Sequence, residues 1–67
     1  MNWQQYSPDN APEVDSIGKC LRTCEVILED GSSCYAYFSS VAGWFTSPCF
    51  YFEYKIKSHV RYWRYIN

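Results

Sequence analysis

A chain of 67 residues and 8.0 kDa is one domain, because so short a polymer hides only about 60% of the surface its unfolded form exposes. Its composition, 48% hydrophobic and 19% charged with three Gly and three Pro, is that of a globular protein rather than a disordered one. A net charge of −1 and a pI near 5.6 argue against bulk electrostatic capture of nucleic acid, and the length excludes a large enzyme. Seven Tyr, four Phe and three Trp make 21% of the chain aromatic, which is the feature that has to be placed.

Residues 1–19 contain Pro8, Asp9, Asn10, Pro12 and Gly18 and show no period. They read as an extended lead-in, with one short helical turn over 13–17 and with Trp3 and Tyr6 as anchors onto the domain. Neither a basic start nor an apolar stretch opens the chain, and the uncharged stretch 36–52 is broken by Ser, Gly, Thr and Pro. The expectation is therefore a cytosolic protein with no membrane span.

Residues 20–29 alternate: Cys20, Arg22, Cys24, Val26 and Leu28 on one face, Leu21, Thr23, Glu25, Ile27 and Glu29 on the other. Glu29-Asp30-Gly31-Ser32 then reads as a tight hairpin closed by Gly31. If Leu28 pairs with Ser32, Val26 faces Cys34 and Cys24 faces Ala36. That register predicts an apolar face of Cys24, Val26, Leu28, Cys34, Ala36 and Phe38, with Tyr35 and Tyr37 beside Glu25 and Ile27 on the other side. Val41-Ala42-Gly43 is a second turn, followed by a strand at Trp44-Phe45-Thr46 that ends before Pro48. Residues 49–56 alternate again, and with a turn at 57–59 they predict a C-terminal hairpin onto residues 60–66, with Trp63 facing the core. The predicted architecture is all-β: a single small antiparallel sheet of four or five strands over residues 20–67, preceded by the lead-in.

Four cysteines lie at positions 20, 24, 34 and 49, and two of them spaced four apart on one extended strand would sit about 13 Å from each other. That is too far to share an ion, and no close knuckle of zinc-ligand type is present. Cys24 and Cys34 come near disulfide distance across the hairpin, although a reducing compartment would keep them as thiols. Free, core-packing cysteine is the expected state, with no metal and no cofactor. His59 is the single histidine, the acids form no paired-carboxylate signature, and phosphate-cradling, nucleotide and metalloprotease motifs are absent. Catalysis is not expected.

Binding is. Residues 1–34 carry six acids against Lys19 and Arg22, a balance of −4, while residues 35–67 carry Glu53 against Lys55, Lys57, Arg61 and Arg64, a balance of +3. Two surfaces follow. Glu25, Glu29 and Asp30 with Tyr35 and Tyr37 would form an acidic contact surface for a protein partner, aromatic residues being the usual hot spots. Alternatively, Tyr51, Lys55, Lys57, Arg61, Tyr62 and Arg64 on the C-terminal hairpin would stack and neutralise single-stranded nucleic acid. An open edge strand would also allow homodimerisation.

The order Trp3, Pro12, Val26-Ile27-Leu28 running to Gly31, Tyr35-Ala36-Tyr37-Phe38, Gly43-Trp44-Phe45 and Val60-x-Tyr62-Trp63 resembles a family of short phage and prophage proteins of unknown function, small β domains bounded by two tryptophans. The four cysteines, residues 13–20 as an insertion, and the missing Leu-Pro ending depart from that pattern. The resemblance implies a mobile-element protein in the cytoplasm of a bacterial host. It also implies an inhibitor of a host or defence protein complex, anti-CRISPR proteins being one such class, which works by stoichiometric covering of a site.

Overall fold

The computed structural model describes residues 2–66. Five strands, β1 (Gln4–Gln5), β2 (Cys24–Leu28), β3 (Ser33–Ser39), β4 (Gly43–Phe45) and β5 (Val60–Tyr65), form one antiparallel sheet in the order β1-β5-β2-β3-β4. The all-β expectation holds. The β2–β3 hairpin has the predicted register, Cys24 opposite Ala36 and Val26 opposite Cys34. Its turn closes as the local chemistry requires. The Leu28 N–H donates to the Ser32 carbonyl (2.8 Å), Gly31 adopts φ 89°, and the Asp30 carboxylate accepts from the N–H and hydroxyl of Ser32.

Three expectations need correction. The alternation over residues 20–29 is not one strand. Lys19 bridges Ser39 and Cys24 pairs with Ala36, so five steps on one side match three on β3. Residues 21–23 therefore bulge out, leaving Leu21 57% exposed.

Residues 49–56 do not form the predicted strand either. They contain a turn and a 3-10 helix at Phe52–Tyr54, and only Lys55 bridges back, to Phe45. Pro48 and the left-handed Phe50 (φ 57°) interrupt the extended run. Consequently β5 has no hairpin partner in this segment and inserts between β1 and β2. Trp63 faces the core as predicted, but opposite Val26 and Gln4.

The lead-in holds no helical turn. Asp15 caps a turn through the N–H groups of Ile17 and Lys19, Val14 bridges Cys20, and Gln4–Gln5 contributes the edge strand β1.

A single sheet must have one face covered, and here irregular chain does it. Cys24, Val26, Ala36, Phe38, Trp44, Val60 and Trp63 are buried together, and Tyr6, Ala11 and Val14 pack on them from the lead-in, with Cys20 just beyond it. Tyr6 meets Phe38 and Trp44 edge-on at 5.9 and 5.4 Å. Two long-range bonds fasten this cover: Trp63 Nε1 donates to the Asn10 carbonyl (2.9 Å), and the Glu13 N–H donates to the Tyr65 hydroxyl (2.8 Å). The accessible surface of 4532 Å² is close to the roughly 4,450 Å² of a compact monomer of this mass, so compactness makes no demand for a second copy.

Both sheet edges are short and are engaged in part by the chain itself. The Gln5 carbonyl on the outer side of β1 accepts from the Asn10 side-chain amide (2.8 Å). Beside β4, the Thr46 N–H donates to the Tyr54 carbonyl and the Ile56 N–H to the Trp44 carbonyl, while the Lys55 N–H closes the 3-10 turn onto Phe52. Short, self-capped edges resist strand addition.

Two outcomes follow for stability. Gly18 has φ 88°, and a Cβ there would lie 2.6 Å from Ser40 Oγ, whereas Gly31 has φ 89° with open space around it. Gly18→Ala is expected to cost more than about 1 kcal/mol, a fall in Tm of roughly 4–8 °C or more, and to exceed the loss in Gly31→Ala; thermal unfolding followed by circular dichroism ranks the two. The carboxyls of Asp15 and Asp30 are held below the ordinary value of 3.8, the first chiefly by the Lys19 N–H and the second by the Ser32 hydroxyl. Their folded values are depressed, so their stabilisation is complete above the unfolded value and is lost as pH falls below it. Tm should drop as pH falls below about 4. Asp15→Asn and Asp30→Asn should each flatten that acid limb by lowering Tm at pH 7, while Tm at the acid end stays close to the parent's.

Candidate functional site

The face of the sheet opposite the core is built by strand parity. Glu25 lies opposite both Tyr35 and Arg64, Ile27 opposite Tyr62, and Tyr37 opposite Phe45. A second irregularity makes this arrangement. Between Ile27 and Leu28 the β2–β5 register shifts, and Arg61 is the extra residue. Val60 and Trp63 can therefore both be buried while Tyr62 and Arg64 point outward. Without the shift, Val60 and Trp63 would face opposite sides.

At the centre of this face Arg64 donates from Nη2 (2.7 Å) and Nε (3.1 Å) to one oxygen of Glu25, and its guanidinium lies 4.3 Å from the Trp3 ring. Both members of the pair are partly exposed, so the ion pair contributes about 0–1 kcal/mol. Its main consequence is geometric, since it holds the guanidinium within cation–π distance of an indole. A shallow cup of about 240 Å³ lies between Glu25, Tyr35, Arg64 and Ile66. Tyr35 is 63% and Tyr62 40% exposed, flanking the pair on neighbouring strands.

The two predicted surfaces are thus redistributed. Glu25, Tyr35 and Tyr37 of the acidic set share one face with Tyr62 and Arg64 of the basic set. Glu29 and Asp30 sit apart at the hairpin tip, where Asp30 is engaged by Ser32 and Glu29 Oε1 accepts from the His59 N–H (3.5 Å). Tyr51, Lys55 and Lys57 belong to the segment beside β4. There Lys55 Nζ donates to the Ala42 carbonyl and lies 5.4 Å from the Phe45 ring, and Lys57 lies 5.8 Å from the exposed Phe52 ring. Arg61 is exposed near Gln5, His59 and Tyr62. The basic, tyrosine-rich hairpin is therefore split into two places.

Trp3 and Ile27 were not predicted as site residues. Ile27 was legible, sharing the outward parity of Glu25. Trp3 was not, because a two-residue edge strand leaves no alternation to read.

Among the described residues no group of three or more His, Cys, Asp or Glu could hold a metal ion, and no helix is long and apolar enough to cross a membrane. All four cysteines are free thiols. Burial, reinforced by the neighbouring Cys20, pushes the Cys24 thiol up to about 12, and burial also raises Cys34. Neither is a nucleophile at neutral pH. Labelling with a thiol reagent at pH 8, read by intact mass, should modify the exposed Cys49 first and leave Cys24 unmodified until urea unfolds the chain.

No family model matches this chain, and neither the curated proteins nor the solved structures hold a match to it.

Proposed function

We propose that this protein acts by stoichiometric binding to another protein, through the outer face centred on the Glu25–Arg64 pair. The observation that carries this reading is the composition of that face: Trp3, Ile27, Tyr35 and Tyr62 surround one preorganised ion pair on rigid strands. Tyrosine, tryptophan and arginine are the residues that dominate interface energetics, and aromatic rings lose little conformational entropy on binding. The lead-in packs over the opposite face, leaving there a cavity of about 520 Å³ beside Tyr6, Ala11 and Phe38, and the sheet edges are short, so the outer face is the broad rigid surface that a partner can meet. Covering a site on a host or defence complex, as the resemblance to small phage proteins implies, needs no chemistry beyond such contact. The balance of charge on the face is near zero, so the affinity would come from aromatic burial and geometry, and long-range steering would be weak.

A nucleic-acid reading has one observation in its favour, the exposed and near-parallel Tyr51 and Tyr54 rings (6.4 Å) beside Phe52 and Lys57. The dispersal of its cations makes it the weaker of the two.

The test is capture from bacterial lysate by the tagged protein with and without nuclease, in parallel with a Tyr35→Ala/Tyr62→Ala variant. The expected outcome is a protein retained after nuclease whose affinity falls at least tenfold in the variant, each hot-spot tyrosine contributing about 1–2 kcal/mol. Retention equal in both proteins would remove the face from the reading. Recovery of nucleic acid alone, lost in moderate salt and in Tyr54→Ala, would replace the reading with the alternative.

A further inference from the structure

The core face of the sheet is covered by the lead-in but not filled by it. Between the lead-in and Phe38 a cavity of about 520 Å³ remains, within the roughly 300–1,000 Å³ that holds a small molecule. Most of its lining is apolar, with Tyr6, Ala11, Pro12, Val14 and Phe38 as the main walls. These walls are set in advance. Tyr6 and Phe38 meet edge-on at 5.9 Å, and Trp44 packs on both, at 5.4 and 5.0 Å. The turn that carries Pro8 and Asp9 is closed by reciprocal backbone bonds between Ser7 and Asn10 (3.3 and 3.0 Å). Asn10 is tied again, to the Gln5 carbonyl and to the Trp63 indole.

The cavity carries one charge. Asp9 is the single charged residue in the lining, and no lysine, arginine or histidine stands in it. Among the described residues Asp9 has no hydrogen-bond or ion-pair partner, unlike Asp15 and Asp30, whose carboxylates are occupied by backbone N–H groups. The only side-chain donors in the lining are the hydroxyls of Tyr6 and Ser40. An anion entering the cavity would meet the carboxylate with no cation to offset it. An ammonium group would meet an opposite charge, and aromatic rings such as those of Tyr6 and Phe38 attract cations as well.

We propose that the cavity beneath the lead-in binds a small organic cation, an aryl- or alkylammonium compound. Its apolar body lies against Tyr6, Val14 and Phe38, and its ammonium group is at Asp9. The occupant is a free molecule rather than a side chain of a partner, because the space is of small-molecule size. This site lies on the face opposite the proposed protein contact and does not depend on it.

Tryptamine, tryptophol and indole-3-propionate carry a cation, a neutral hydroxyl and an anion on similar short arms of one indole, so comparing them isolates the charge. In a ¹H–¹⁵N NMR titration of the full chain, tryptamine should give saturable shifts at residues 6, 9, 11, 14, 38 and 40. Tryptophol should bind roughly fivefold more weakly, a modest ratio because Asp9 is exposed and its attraction screened, and the propionate more weakly still. Asp9→Asn changes an exposed side chain without partners. It should bring tryptamine down to the level of tryptophol, leave tryptophol as it was, and keep the remaining spectrum in place. Absence of saturable shifts at these residues, equal binding of the three compounds, or a preference for tryptamine that survives Asp9→Asn overturns the proposal.

Discussion

The bond from the Trp63 indole N–H to the Asn10 carbonyl is the contact on which the architecture turns. Sixty-seven residues suffice for one sheet but not for a second layer of regular structure. The apolar face of that sheet must therefore be closed by chain without a repeating hydrogen-bond pattern of its own. Such a cover is stable only if its backbone polar groups find partners elsewhere. Trp63, on an interior strand of the sheet, satisfies one of them while burying its own ring, and Tyr65 on the same strand accepts from Glu13. The insertion of β5 between β1 and β2 places these two donors and acceptors under the lead-in. A C-terminal strand at a sheet edge would have left the lead-in with nothing to hold.

That insertion was the part of the fold least legible in the sequence, and the reason is physical. Local signals describe adjacent segments. Glu29-Asp30-Gly31-Ser32 carries a turn whose chemistry is complete within four residues, so the β2–β3 register could be read from it and was correct. The pairing of β5 with β2 is non-local, and no turn residue marks it. The alternation of residues 49–56 was equally plain to read, yet Pro48 and the positive φ of Phe50 prevent its use as a strand. Alternation shows that a segment can form a two-sided strand; it does not say that a neighbour with free hydrogen bonds exists for it.

The site was half legible for the same reason. Parity within the hairpin correctly placed Glu25, Tyr35 and Tyr37 on the outward side. With Trp63 on the core side, alternation puts Tyr62 and Arg64 outward; what had no signature in the residues was the pairing of β5 with β2 and the register shift at Arg61 that buries Val60 as well. Acidic and basic residues far apart in the chain were thereby brought into one ion pair, and what the uneven charge of the two halves presented as two surfaces became one nearly neutral face. Trp3 entered through β1, whose two residues are too few to show any period.

The irregular positions also share a location. The bulge at residues 21–23 and the left-handed Phe50 both line one notch. A non-glycine residue at φ 57° costs on the order of 1 kcal/mol or more, and in so small a domain such a cost persists only where packing overrides it. The packing here is the Phe45–Phe50 contact, centroids 5.0 Å apart, with Phe45 buried beneath the segment that carries Phe50. Phe45 is buried on the outward side of the sheet, away from the main core, so the strained segment covers part of the face that the rest of the chain leaves open. The bulge likewise exposes Leu21, where a continuous strand would have continued the alternation. Regular pairing at either place would give a flatter and less strained sheet end. The two departures together open the notch at this end of the sheet, with Leu21 and Phe50 in its lining.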